Sequence, residues 1–293
     1  MVVAGTQADR ARCAHHARRV LPPGARGRDR RPAGGGAMTI EAPGPGSLLV
    51  IVPAYNEQGA VGDVVRELEQ QVPGVPVLVI DDCSVDATVE VARAAGARIL
   101  PLPHHLGLGG AVQAGYKLAF ELGFEYVIRV DGDGQHDPRD IPRILDKLKE
   151  SGAEMVIGAR MDADRTRRMR TLGARFFRVV LRPILGKTVN DPTSGFVGVN
   201  RRALALFSAS FPLEYPEIEA LVVLQRRRFR FEEVPCHMRP RRTGRSSING
   251  LKPLSYIVHV LLGVFVNILR YDGRWRRRLR LGRNSDSSAG GGG

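Results

Sequence analysis

The sequence predicts an α/β protein built on a mostly parallel sheet flanked by helices. Three observations predict it. Short apolar, β-branched runs alternate with stretches of helical period. The links between them are short. Three of the runs end in polar, acid-bearing loops. The runs are continuously apolar, as strands are when helices cover both faces of a parallel sheet.

Leu48-Leu49-Val50-Ile51-Val52-Pro53 is the first strand, followed by the loop Ala54-Tyr55-Asn56-Glu57. Gly59 to Gln71 reads as an amphipathic helix with Val61, Val64, Val65 and Leu68 on one face. Val75 to Ile80 is the second strand and ends in Asp81-Asp82-Cys83-Ser84. A helix over Asp86 to Ala95, capped by Asp86, leads to a short strand from Ala97 to Leu100. Gly107-Leu108-Gly109-Gly110 opens a helix that runs through Leu122, and Tyr126 to Val130 is the fourth strand. A helix over Ile141 to Ser151 and a strand over Met155 to Gly158 follow, then a basic, helical stretch from Arg165 to Leu185. The turn Asp191-Pro192-Thr193-Ser194-Gly195-Phe196 feeds a strand from Val197 to Val199. A helix from Tyr215 to Arg228 carries Glu217 and Glu219 at its start, where acids complement the helix dipole. Phe229 to Cys236 closes the set of strands.

The net charge is +14, but it is unevenly spread. Residues 1–37 hold eight Arg against two Asp and residues 270–293 seven Arg against two Asp, which leaves +3 for the middle. Residues 1–37 have no apolar core of a secretory signal and read as a disordered basic extension, with Met38 a candidate start. A basic balance suits an anionic membrane surface or nucleic acid. With aromatic content at 6% and no stacking platform in view, a nucleic-acid partner is not expected. Cys13, Cys83 and Cys236 show neither metal spacing nor a disulfide framework, so a reducing, cytoplasmic setting is expected. Leu254 to Leu269 is 16 residues of mostly apolar character. It is shorter than the ~20 residues needed to span a bilayer. Arginines and Trp275 follow it, so it reads as an interfacial helix held to anionic lipid.

The chemistry concentrates in Asp131-Gly132-Asp133-Gly134-Gln135. Alternate residues of an extended segment point the same way, so Asp131 and Asp133 can converge on one point, and Gln135 adds a neutral oxygen. Clustered hard oxygen donors suit Mg²⁺ or Mn²⁺. Ligands bind beyond the carboxyl ends of strands in open α/β sheets. The loops at Tyr55–Glu57, Asp81–Asp82 and Asp131–Asp133 should therefore line one crevice. A dinucleotide fingerprint is absent, because Val112 stands at the third glycine position, and there is no P-loop. The basic run Arg239 to Ser247 offers guanidinium forks that match phosphate oxygens.

These stretches, in this order, resemble the family-2 glycosyltransferases of the GT-A fold, with its Rossmann-like nucleotide-binding half. The resemblance rests on Val50 to Glu57, Val79 to Asp86 and Asp131 to His136. Gly107-Leu108-Gly109, Gly158-Ala159-Arg160, Asp191 to Phe196 and Arg241 to Ser246 are similar to the polyprenyl-phosphate sugar transferases within that family. The resemblance covers about residues 48–250. It implies four segments: a disordered extension over 1–46, a glycosyltransferase domain over 47–250, a membrane-associating helix and basic tail over 251–283, and a disordered tail over 284–293.

The resemblance also implies roles. Pro53, Tyr55, Glu57, Asp82, Gly107 and Asp131 would hold a nucleotide-sugar, a UDP- or GDP-hexose. Asp131, Asp133 and Gln135 would hold Mg²⁺ or Mn²⁺ on its diphosphate. Arg160, Ser194, Arg241 and Ser246 would hold phosphate groups of a polyprenyl phosphate acceptor, with Asp133, Arg160 and Arg241 acting in catalysis. The implied setting is the inner face of the cell membrane, feeding envelope or glycan assembly, and some short relatives work beside a small membrane protein. Two departures stand out. Cys83 occupies a position where relatives usually carry Gly, and Val197 one where they often carry Arg.

A phosphate monoester with a second pKa of about 6 is already anionic at pH 7, so such an acceptor needs no strong base. A sugar-hydroxyl acceptor would need one, and Glu217 or Glu219 would be the candidates. A basic RNA-binding α/β protein is a third reading. A nucleotidyltransferase is a fourth, but Pro53-Ala54-Tyr55 stands where its Gly-rich, Lys-bearing loop is expected.

Overall fold

The computed structural model describes residue 44, residues 46–160 and residues 180–239. Arg241, Ser246, the apolar run at 254–269 and both basic flanks lie outside the described residues, as does most of the basic stretch that begins at Arg165. The part of that stretch within them is helical at 180–185, with Leu181 and Leu185 buried.

β1 (Leu48–Ala54) is buried along its whole length. It is apolar on both sides because each side meets a different core. Leu49 and Ile51 face α3 (Gly107–Leu122), α5 (Arg201–Ala209) and α6 (Pro216–Arg226). Leu48, Val50 and Val52 face α1 (Val61–Gln71), α2 (Thr88–Ala94) and α4 (Ile141–Ser151). The other strands are β2 (Val77–Asp81), β3 (Arg98–Pro101), β4 (Tyr126–Arg129), β5 (Met155–Arg160), β6 (Val197–Asn200) and β7 (Phe231–Cys236). Burying both faces of the sheet supplies the main driving force, at about 25 cal/mol per Å² of apolar surface.

The sheet order is β3-β2-β1-β4-β6-β5-β7. β1 pairs in parallel with both β2 and β4, while β6 runs antiparallel to β4 and β5. The expected mostly parallel sheet is therefore found, with β6 as its exception. The chain leaves β1 toward β2 and β3, then returns to lay β4 on the other side of β1. A crevice opens where the order reverses, beyond the carboxyl ends of β1 and β4. The acid loop lies there. Among the described residues, no helix is long and apolar enough to cross a membrane.

Three local features differ from the sequence reading. α5 was not expected. Its start is fixed by Asn200, whose Oδ1 accepts from the N–H groups of Arg202 and Ala203 at 3.0 and 3.1 Å. α2 begins at Thr88, although Asp86 keeps its capping role by accepting the Thr88 N–H at 3.0 Å. Cys83 is disulfide-bonded, against the expectation of no disulfide framework, and Cys236 is a free, buried thiol. Cys83 also has φ +66°, in the left-handed region that favours Gly.

Gly109 lets α3 approach the segment before α6. A Cβ there would lie 2.5 Å from Leu213 Cα and 2.5 Å from the Pro212 carbonyl oxygen, both backbone atoms that cannot turn aside. Gly109→Ala should therefore lower stability by about 1–3 kcal/mol, the usual cost of overpacking. Urea unfolding checks this, and an unchanged midpoint would mean that the segment moves freely.

Candidate active site

The first wall of the crevice is two loops stitched together through their backbones. Asp82 N–H donates to the Ala54 carbonyl at 2.9 Å, extending the β1–β2 ladder past its end. The Asn56 N–H donates to Ser84 Oγ at 2.9 Å, while Asn56 Oδ1 accepts the Val85 N–H at 2.9 Å. Glu57 N–H donates to Thr88 Oγ1 at 2.8 Å. Asn56 has φ +55°, a conformation Asn tolerates better than most residues.

Asp82 is buried and caps α3. Its oxygens accept the N–H groups of Leu106 and Gly107 at 2.7 and 2.8 Å, and His105 Nδ1 lies 2.8 Å from Oδ2. Burial raises its pKa, against the lowering effect of those partners. The His105 ring lies against Tyr55 with centroids 4.1 Å apart, and Tyr55 is 44% exposed. Asp82, Gly107 and Tyr55 thus come together, with Asp82 fixing the backbone that presents the exposed ring. Pro53 closes the floor, with its carbonyl 3.3 Å from where a Cβ on Gly132 would sit.

The second wall is the acid loop, anchored by Arg129. This side chain is 3% exposed, at the end of β4. Its guanidinium donates to Asp131 Oδ1 from Nε at 3.2 Å and from Nη2 at 3.0 Å, and to Glu217 Oε1 from Nη2 at 2.8 Å. Burial alone would lower its pKa, but Asp131 and Glu217 more than offset that and raise it, so it stays charged. His136 holds the same aspartate from behind. Its Nδ1 accepts the Asp131 N–H at 3.0 Å, so the neutral ring carries its proton on Nε2. Burial lowers the His136 pKa against the pull of Asp131 and Asp133, and its ring stacks on Phe196 at 4.9 Å. Asp133 is buried, with Oδ1 accepting the Gln135 N–H at 3.0 Å.

The third wall carries Arg160 and the turn after residue 190. Arg160 Nε donates to Asp191 Oδ2 at 2.6 Å, and Nη2 donates to Asp191 Oδ1 and Thr193 Oγ1, each at 3.3 Å. Among the described residues that leaves the two Nη1 hydrogens for an anion, on a side chain that is 45% exposed. Asp191 is held in turn by Glu233, which accepts its N–H at 2.9 Å. Ser194 is placed differently from the sequence expectation. It is buried, its hydroxyl donates to the Gly158 carbonyl at 2.6 Å and it accepts the Phe196 N–H, so it braces the turn rather than facing a phosphate.

Gly195 brings that turn onto the acid loop. A Cβ at Gly195 would run into Asp131 Oδ2 and would lie 2.8 Å from Arg129 Nη2. Val197, where relatives often carry Arg, pairs with Arg129 across the β4–β6 ladder. A guanidinium thus reaches this corner from the neighbouring strand.

A divalent cation fits the donors present. Asp131 Oδ2, Asp133 and Gln135 are hard oxygen ligands on one short loop, and the crevice beside them is open. No group of three or more His, Cys, Asp or Glu among the described residues forms a closed metal cage. Mg²⁺-like ions use one or two carboxylates and take further oxygens from substrate phosphates.

Sequence reasoning missed Arg129, His136 and Gly195. Arg129 had a signal: a charged residue inside a buried apolar strand requires a buried partner. One partner, Asp131, lies two residues on, while nothing in the sequence ties the other, Glu217, to Arg129 across 88 residues.

The profile of Glycosyl transferase family 2 matches residues 49–207. The UDP-N-acetylglucosamine–dolichyl-phosphate N-acetylglucosaminyltransferase of Methanococcus voltae is 27% identical over 214 residues, 64% of this chain and 84% of that one. The polyprenol monophosphomannose synthase of Mycolicibacterium smegmatis is 30% identical over 166 residues, 53% of this chain and 62% of that one. Among solved structures, glucosyl-3-phosphoglycerate synthase from Mycobacterium tuberculosis, in complex with Mg²⁺ and UDP, superposes with a TM-score of 0.59 at 24% identity. That match covers 76% of this chain and 78% of the other, so the fold is shared. The GT-A architecture expected from the resemblance is borne out.

Arg129→Met should cost about 3–5 kcal/mol, because it removes the buried guanidinium that Glu217 and Asp131 share. Adding Glu217→Leu should restore most of that stability but not activity, since Asp131 has still lost its anchor. Chemical denaturation of both variants beside an activity assay checks this. A single-variant loss under about 1 kcal/mol would place the Arg129 pairs with weak surface ion pairs.

Proposed function

The chain belongs to glycosyl transferase family 2, and from that premise we propose that it moves a hexose from a nucleotide-sugar to a polyprenyl phosphate with inversion at the anomeric carbon. Relatives named for dolichyl-phosphate and polyprenol acceptors support the acceptor class. The UDP and Mg²⁺ bound to the M. tuberculosis synthase support the donor type and a divalent cation.

The observation that carries the reading is the state of the carboxylates. A hydroxyl acceptor needs a base at the crevice, and among the described residues most acids there are already held by a partner. Glu217, one of the two candidates, is bonded to Arg129. The other acids of the crevice are engaged by arginines, backbone N–H groups or a neighbouring histidine. A phosphate monoester fits such a site, because it arrives as an anion and has no proton to lose.

In the proposed reaction an acceptor phosphate oxygen attacks the anomeric carbon. The bond from that carbon to the nucleoside diphosphate breaks, and its electron pair leaves with the diphosphate. Tyr55 and the Asp82-capped backbone would orient the nucleoside. Asp131 and Asp133, with Gln135, would hold Mg²⁺ or Mn²⁺, which supplies Lewis-acid neutralisation of the leaving group. Arg160 would use its Nη1 hydrogens on a phosphate, and Arg241 and Ser246, outside the described residues, are proposed to add to that contact. The lipid acceptor implies work at the inner face of a membrane. The apolar run at 254–269, the arginines after it and a small membrane-protein partner are the proposed contacts there.

The test is incubation of the protein with labelled UDP- and GDP-hexoses, polyprenyl phosphate and Mg²⁺ or Mn²⁺. Label should enter the lipid fraction. Asp133→Asn should reduce transfer at least ~100-fold, the consequence of losing several kcal/mol of charge stabilisation. Transfer to a sugar hydroxyl, with no lipid labelled by any donor, would overturn the reading.

A further inference from the structure

Beside the site, but outside every contact described for it, the segment after β7 is zipped onto the acid loop. Met238 forms an antiparallel bridge with His136. The Arg239 N–H donates to the Gln135 carbonyl at 2.8 Å. Two residues further back, the His237 N–H donates to Asp140 Oδ2 at 2.6 Å. The backbone of Gln135 is therefore held on one side by residue 239, and its N–H is held on the other by Asp133 Oδ1.

Residue 239 is itself held by its side chain. Arg239 Nη2 lies 2.8 Å from Asp137 Oδ1, and Nη1 pairs with Glu67 of α1. The Asp137 side chain is 2% exposed, and Arg239 and Glu67 are 25% and 22% exposed. Arg139 also bonds Asp137, and with Arg239 it holds that carboxyl well below the usual carboxylate range. The Arg239 guanidinium spans three parts of the chain: α1, the turn after the acid loop, and the exit of β7. Partly buried and shared between two carboxylates, it has the planar fork geometry that Arg supplies and Lys does not.

We propose that Arg239, clasped by Asp137 and Glu67, is a positioning residue for the cation-binding loop: it fixes Gln135 and, through Gln135, Asp133. Arg239 reaches neither the cation nor the substrate in this role. It sets the loop's shape in the way that outer partners set metal ligands, where their loss typically costs ~10–100-fold in metal affinity or activity. The inference rests on the reading of the acid loop given under the proposed function. It adds a residue which that reading does not use.

The test measures Mn²⁺ affinity directly, from the free-ion electron paramagnetic resonance signal, with UDP or GDP present. Thermal unfolding of the same samples is followed in parallel. Arg239→Met should weaken Mn²⁺ binding ~10–100-fold. Arg239→Lys should fall between that variant and the parent protein. Glu67→Gln lies on α1 and removes one half of the clasp, so it guards against an Arg239 variant that fails to fold. It should weaken Mn²⁺ binding several-fold, while kcat at saturating Mn²⁺ stays close to that of the parent protein. Variants that melt earlier yet bind Mn²⁺ as the parent does would overturn the inference and leave the clasp a purely structural brace. A parent protein that binds no Mn²⁺ with either nucleotide would overturn instead the reading of the acid loop on which the inference rests.

Discussion

A guanidinium buried at the end of a central strand must be neutralised on the spot, and this requirement organises the site. Arg129 lies in the core between β4 and α6, where an unpaired charge would be prohibitive. Desolvating the guanidinium and its carboxylates costs several kcal/mol per ion, and only good geometry on both sides offsets it. Asp131 supplies one side from the acid loop and Glu217 the other from the first turn of α6. The strand, the helix start and the loop therefore form one unit. Asp131 is turned by this pairing, with Oδ1 committed to Arg129 and Oδ2 lying toward the 195 turn. The pairing fixes the direction in which this carboxylate points.

The two arginines of the site differ in burial, and their capacities differ with it. Arg129 is buried and gives Nε and Nη2 to two acids. Arg160 is half-exposed and bound to one acid, Asp191, whose backbone N–H is in turn bonded to Glu233. It is pre-oriented by a fork-to-carboxylate pair and still has donors to offer, which suits anion binding. The link between the two is the turn at 191–196. Gly195 permits it to lie against Asp131 and Arg129, and Ser194 ties its other side to Gly158 beside Arg160. Ser194 stabilises this junction better as a buried brace than it could as an exposed ligand.

Much of the fold was legible because its signals are local. The strands announce themselves as continuous apolar runs, and the loops after β1, β2 and β4 carry their acids at the same end. α4 falls over the residues that its apolar spacing marks. What was not legible depends on distance or direction. The antiparallel sense of β6 leaves no trace in a four-residue strand, whose side chains would alternate in either direction. α5 begins at an Asn cap that resembles any surface Asn until its partners are known. Asp82 reads as a ligand-facing acid from its place in a motif, whereas its oxygens are taken by the N-terminus of α3. Cys83 shows the same limit in reverse. Its departure from the family pattern falls at a left-handed φ, which the sequence does not show.

The distribution of charge partners bears directly on the chemistry. A carboxylate that serves as a general base is tuned by apolar burial without a cation, so that its pKa climbs toward neutrality. Here Asp131 and Glu217 share Arg129, Asp191 holds Arg160, and Asp137 holds Arg139 and Arg239. Asp82 has a raised pKa, and its oxygens accept backbone N–H groups at a helix start. His136, the ring closest to the acid loop, is neutral and already accepts a backbone N–H on Nδ1, so it also has no lone pair to offer. Among the described residues, acids paired in this way are poorly suited to activating a hydroxyl. The crevice can orient an anion that is already a nucleophile, and it can accommodate the negative charge released on the leaving group. This is why the pairing of acids with arginines, rather than the acid loop alone, points to a phosphate as the attacking group.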